Sequence, residues 1–185
     1  MIEDALLEAE DGMEKAVAAT KREFGNIRTG RANPEMFNSI LVDYYGAPTP
    51  LQQLASVQIP EARMVLISPY DRGSFQDIIA AIREADLGVN PTDDGNVIRC
   101  TLPALTEERR KDYVKQARAR AEEGRISIRN ERRTAKEELE RIKKDGDAGE
   151  DEVERGEKQL EELTKKYVQM VDDELEAKET DLMTV

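Results

Sequence analysis

Residues Thr106 to Lys144 read TEERRKDYVKQARARAEEGRISIRNERRTAKEELERIKK, a stretch without proline in which single apolar residues interrupt dense charge. Val114, Ala121, Ile128, Ala135 and Ile142 recur every seventh residue, with Tyr113, Ala117 and Leu139 close by. A sustained repeat of seven marks a long helix wound against other helices along one seam. As a single helix the stretch spans roughly 55–60 Å at about 1.5 Å per residue, far beyond the usual helix of about 11–12 residues. Gly124, in its middle, lowers helix stability by about 1 kcal/mol relative to Ala and is read as a close helix–helix contact.

The same stretch carries two basic rows. Lys111, Arg118, Arg125 and Arg132 form one series of sevens; Lys115, Arg129, Lys136 and Lys143 form an adjacent one, interrupted by Glu122. On a helical wheel they lie side by side, flanking the seam. Fourteen Lys or Arg face nine Asp or Glu here, a net of +5, whereas the whole chain has 28 against 40, a net of −12. Arginines spaced along a rigid rod suit a phosphate backbone, through counterion release and the planar guanidinium fork. The candidate RNA-binding residues are Arg125, Arg129, Arg132 and Arg133, with Glu131 the main acid nearby. Charged rows beside a seam also serve interhelical pairing and solubility; the local shortage of acids tilts the reading toward RNA.

Working outward, Ile2, Leu6, Ala9, Met13, Val17, Phe24 and Ile27 step mostly by three and four and predict a helix from residue 2 to about 25. On the far side, Asp145-Gly146-Asp147-Ala148-Gly149 predicts a turn. A third helix begins near Glu150, with Val153, Leu160, Leu163, Tyr167, Met170 and Val171 on its apolar face. From Asp145 onward, fifteen acids face five bases. Three long helices with matching seams, two of them joined by a tight turn, make an antiparallel bundle.

Between the first and second helices the composition changes: all seven prolines and five of the eight aromatics fall between Pro34 and Pro103. Strands are predicted at Ser39–Tyr45, Ala55–Ile59 and Met64–Ser68, with turns at Gly46-Ala47-Pro48 and Pro60-Glu61-Ala62. Ser74 with Asp77 resembles a capping box for a helix burying Phe75, Ile78, Ile79 and Ile82 and ending at Gly88. Two more short strands flank Asp93-Asp94-Gly95. Strand alternation places one of Tyr44 and Tyr45 inside and the other outside. The expected fold is α+β: an elongated three-helix bundle (1–30 and 104–185) with a small β/α/β insert (31–103) between helices 1 and 2. Two short linkers cross together at the corner of an elongated L.

Composition removes several classes of function. There is no histidine and only one cysteine, Cys100, so no histidine triad, disulfide or structural zinc site is built within the chain. Glycine motifs for nucleotides are missing. No apolar run approaches eighteen residues, and Met1 leads into an acidic amphipathic segment rather than a signal sequence, so a cytoplasmic protein with no membrane partner is expected.

Arg28-Thr29-Gly30-Arg31-Ala32, Tyr44-Tyr45-Gly46, Pro48-Thr49-Pro50-Leu51, Leu105-Thr106-Glu107-Glu108-Arg109-Arg110-Lys111 and Arg129-Asn130-Glu131-Arg132-Arg133 together resemble the ribosome recycling factors. The resemblance runs over nearly the whole chain and keeps that family's length. It implies a tRNA-sized, L-shaped monomer that binds large-subunit rRNA on the ribosome after termination. It implies elongation factor G as partner, whose GTP hydrolysis drives separation of the subunits and release of mRNA and tRNA. It implies no catalytic residues and no cofactor of the chain's own. Arg110, Arg129 and Arg132 match the family's RNA-contacting arginines; Arg28, Thr29, Gly30, Arg31, Leu102 and Pro103 match its hinge. Gly149 departs from the pattern, standing where a Ser or Thr cap for the third helix is expected. The competing reading is a coiled-coil protein that uses the seam and its acidic face to bind other proteins.

Overall fold

Apolar residues at steps of three and four carry the first helix, α1, over Ile2–Gly25. It buries Ala5, Ala9, Met13, Val17, Thr20 and Phe24 along one stripe. The seven-residue repeat becomes one unbroken helix of 38 residues, Glu107–Lys144, and the acidic C-terminal third another, Glu150–Met183. Counting the shorter helices Leu51–Leu54 (α2) and Phe75–Glu84 (α3), these long ones are α4 and α5. The computed structural model describes residues 1–184. The chain divides into two compact units, Met1–Arg28 with Glu107–Val185, and Thr29–Thr106.

In the first unit α1, α4 and α5 share one core of Met13, Val17, Phe24, Ala121, Ile128, Leu139, Ile142, Leu160, Tyr167 and Val171, among others. The helices approach closely where side chains are smallest. A Cβ added to Gly124 of α4 would collide with Thr20 Oγ1 of α1, and one on Gly156 of α5 would come within 2.9 Å of Ile2. Gly124 is therefore a packing residue, as its place in the repeat predicts. The Thr20 hydroxyl turns back to donate to the Ala16 carbonyl, 2.9 Å away. Gly149 caps α5 with no side-chain hydrogen bond. The first turn forms nonetheless, because Glu150, Asp151 and Glu152 place negative charge at the positive end of the helix dipole.

The second unit begins with a hairpin, β1 (Leu41–Tyr44) against β2 (Ala47–Pro50). Tyr45 (φ 50) and Gly46 (φ 83) form its two-residue turn. Ala47 and Pro48, expected in the turn, belong to β2, since two left-handed residues suffice to reverse the chain. Four further strands, β3 (Ala55–Glu61), β4 (Met64–Pro69), β5 (Asn90–Asp93) and β6 (Ile98–Thr101), form an antiparallel sheet in the order β3-β4-β6-β5. Register places Val65 opposite Cys100 and Ile67 opposite Ile98, and all four are buried in a core with Phe75, Ile78, Ile79 and Ile82 of α3. Pro60 and Pro91 sit in the edge strands, where a missing N–H leaves no gap in the ladder.

Two local expectations fail at α3. Ser74 makes no side-chain cap to the helix; its hydroxyl donates to the Asp71 carbonyl at 2.6 Å. Asp71 supplies the capping carboxylate instead, one short turn earlier, accepting from Gly73 N–H at 2.9 Å. The helix also stops at Glu84 rather than Gly88, because Asp86 already adopts φ 49. Among the described residues no helix is long and apolar enough to cross a membrane.

Candidate nucleic-acid interface

The two basic rows of α4 have different fates. The row nearer the seam turns into α5. Arg118 Nε pairs with Glu179 at 2.6 Å, Arg125 with Asp172 at 2.6 Å, and Arg132 with Glu161 at 3.0 Å. These pairs occupy near-mirror positions about the Asp145–Gly149 turn, as antiparallel neighbours must. Arg125 is the most enclosed, with 19% of its side chain exposed and a second partner in Glu122 at 3.1 Å. Burial works against its charge, but Asp172 and Glu122 outweigh that and hold its pKa above the ordinary value. Its geometry is that of an interhelical strut.

The outer row faces solvent. Lys115, Glu122, Ile126, Arg129, Arg133 and Lys136 follow one another at steps of seven, four, three, four and three, and all are exposed. Arg129 is half exposed, at 52%, and among the described residues its ion-pair partner is Glu122, at 3.5 Å. Arg133 donates to the neutral Asn130 Oδ1 at 2.6 Å. Among the described residues neither Arg110 nor Arg133 has a carboxylate within ion-pair distance. Ile126, 49% exposed, stands between these cations without packing into the core. The stripe can present several donors to phosphates, with Arg129, Arg133 and Lys136 least neutralised.

Sequence reasoning found every arginine here but not the acids that engage them. Glu131, expected to be the main local acid, lies over Gly12 of α1 instead. The available signal was the antiparallel hairpin: folding the chain about Gly146 brings Asp172 and Glu161 to Arg125 and Arg132.

The hinge candidates lie between fixed points. Lys178 Nζ of α5 donates to the Ile27 carbonyl at 2.8 Å, holding the chain just before Arg28. In the second unit, Ala32 N–H donates to Ala62 O at 2.6 Å and Leu102 N–H to Arg63 O at 2.9 Å, so both connections are tied to the same β3–β4 turn. Leu102 is buried in that unit's core, while Pro103 is exposed. Gly30 is left-handed, φ 75, with Leu105 lying 3.1 Å from where a Cβ would stand. Thr29 Oγ1 accepts from Arg31 N–H at 3.4 Å.

Comparison with known proteins places this geometry. The family model described as ribosome recycling factor matches residues 20–183. The ribosome-recycling factor of Kineococcus radiotolerans is 65% identical over 185 residues, covering all of both chains. That of Beutenbergia cavernae is 62% identical over the same full length. A solution structure of the ribosome recycling factor is similar with a TM-score of 0.79 and 42% identity, covering 100% of this chain and 98% of that one. A second similar structure, with a TM-score of 0.66, 36% identity and complete coverage of both chains, comes from models of the T. thermophilus ribosome recycling factor and the E. coli elongation factor G bound to the E. coli post-termination complex.

Proposed function

Because this chain belongs to the ribosome recycling factor family, we propose that it binds the post-termination ribosome on large-subunit RNA and, with elongation factor G, splits the subunits. GTP hydrolysis belongs to that partner. Messenger RNA and tRNA leave as the subunits part. The chain works as a monomer in the cytoplasm, without covalent chemistry or a cofactor of its own. A relative in complex with elongation factor G on a post-termination ribosome supports the choice of partner.

The observation that carries the RNA contact is the outer stripe of α4, where Arg129 and Arg133 keep most of their charge unneutralised. Arg110, half-buried near the start of α4, stands one heptad before Ala117 and so off this stripe; it is a separate candidate contact. Arg132 sits at the edge of the stripe, 36% exposed and shared with Glu161. Arg125 contributes by holding α5 against α4. The acidic third helix repels RNA, so charge selects which side of the bundle is presented.

In this mechanism the bundle is a stiff wedge and the connections at Arg28–Arg31 and Leu102–Pro103 absorb rotation while the motor pushes. Fixed points at Ile27, Ala32 and Leu102 confine that rotation to a few residues. The test is co-sedimentation with vacant ribosomes across a salt series, beside the double reversal Arg129→Glu, Arg133→Glu. Salt-sensitive binding lost in the double variant, with helicity intact, is expected. No binding of the wild-type chain at low salt sinks the ribosomal reading.

A further inference from the structure

Tyr45 stands in the second unit, far in sequence from α4, in a backbone conformation that few side chains accept. It is the first residue of the β1–β2 turn, with φ 50, followed by Gly46 at φ 83. Such turns favour Asn, Asp or Gly at this position, and a bulky residue held there is an outlier of the kind that gathers at ligand sites. The residue is also 80% exposed. Packing therefore does not explain its presence.

Two contacts hold the ring in place, and two more hold the carboxylate it bonds to. Tyr44 meets it edge-on, with centroids 4.6 Å apart and planes at 73°. The Tyr45 and Tyr44 hydroxyls both lie 3.2 Å from Asp71 Oδ2, and Gly73 N–H fixes the other carboxylate oxygen at 2.9 Å. The Gly73 amide draws the Asp71 pKa below its ordinary value. Asp71 in turn raises the Tyr45 phenol, with a smaller push from Asp77. The phenol thus remains a donor and the carboxylate remains charged. A ring fixed in this way loses little rotamer freedom when something packs on it.

We infer that Tyr45 and Asp71 form a preset docking platform for an arginine- or lysine-bearing segment of a protein partner. Charge decides the class of occupant. Asp77 adds a second carboxylate close enough to act on the Tyr45 phenol, and the cation next in sequence to Asp71, Arg72, is turned to Asn96 Oδ1 at 3.2 Å. A phosphate chain is repelled by such a surface. A guanidinium gains a π face and a carboxylate together. This inference rests on the ribosomal function proposed above and adds a protein contact to its RNA contact.

The test uses the full chain with post-termination ribosomes and elongation factor G. With a benzoylphenylalanine photoprobe replacing Tyr45, irradiation should give a protein adduct on a peptide containing Arg or Lys. Adducts to RNA alone, or none, would overturn the platform. Tyr45→Asn provides the second arm, because Asn suits the turn and removes the ring. It should keep the melting temperature while weakening binding to the complex about three- to tenfold. Tyr45→Phe, which retains the ring without its hydroxyl, should lose less. Wild-type affinity in Tyr45→Asn would refute the platform while leaving the ribosomal reading intact, provided Arg129→Glu still weakens binding. If the wild-type chain does not sediment with ribosomes at low salt, both fall.

Discussion

The Tyr167 hydroxyl, enclosed in the bundle, lies 2.8 Å from Glu10 Oε1 and 3.1 Å from Glu14 Oε1, so one proton serves two carboxylates of α1. Burial is the largest cause that raises its pKa, and the bonds to both glutamates add to it. A raised folded value favours the protonated form. The stability it contributes is complete below the ordinary phenol value of about 10 and drains away as pH climbs through the folded value. We therefore expect the melting temperature of Tyr167→Phe to fall less steeply than that of the wild type between about pH 9 and about pH 12. Parallel curves would show that the phenol is not held by the carboxylates. Cys100, whose thiol burial pushes up to about 11, remains in both proteins and cancels from the comparison. That cysteine gives a prediction of its own: buried and protonated, it should resist thiol-labelling reagents at neutral pH until the second unit unfolds. Rapid labelling of the native chain would contradict its place in the core.

At the scale of the helix, α4 packs on α1 and α5 and, in the function proposed above, also meets a polyanion, with a different face for each. Toward α1 it offers Gly124. Gly124→Ala gains about 1 kcal/mol of helix propensity but drives a methyl into Thr20, an overpacking that costs about 1–3 kcal/mol. The net should be destabilising, and Thr20→Ala should restore the loss, as measured by urea denaturation of the two single variants and the double variant. A stabilised Gly124→Ala would mean that the helices have room to spare. Toward α5 it offers Arg125, and toward solvent Arg129. Arg125→Ala should lower stability by about 1 kcal/mol, the scale of a well-formed ion pair with its packing. Arg129→Ala should change stability by less than about 0.5 kcal/mol. Ribosome affinity should show the opposite ranking. If Arg125→Ala proved the worse binder at unchanged stability, its assignment as a strut would be wrong.

At the scale of the whole molecule, the proposed mechanism separates binding, carried by α4, from motion, carried by the connections. Gly30 holds φ 75, which proline, fixed near −65°, cannot adopt. Gly30→Pro should therefore leave the salt profile of ribosome binding as it is and slow subunit splitting with elongation factor G. Equal loss of both would argue against a hinge at this position. The salt profile carries a further expectation: each phosphate contact adds somewhat less than one unit to the slope of log affinity against log salt, so Arg133→Ala should flatten it. A variant that weakens binding without changing the slope has lost something other than a phosphate contact.

The three long helices, their shared seam, the buried faces of α1 and α3 and the tight role of Gly124 were legible in the sequence. Periodicity is a local property, and the hydrophobic effect obeys it wherever one face must leave water. The α+β class followed from where the prolines and glycines stand. What the sequence left open was the division of labour among the arginines. Arg125 and Arg129 look alike in the chain, but the antiparallel return of α5 places Asp172 beside the first, while among the described residues the second pairs with Glu122 of its own helix. The same holds for Asp71, which caps a turn and receives two tyrosine hydroxyls from a hairpin 26 and 27 residues away in sequence. A charge is neutralised or left available by its neighbours in space, and only the tertiary structure decides who those are.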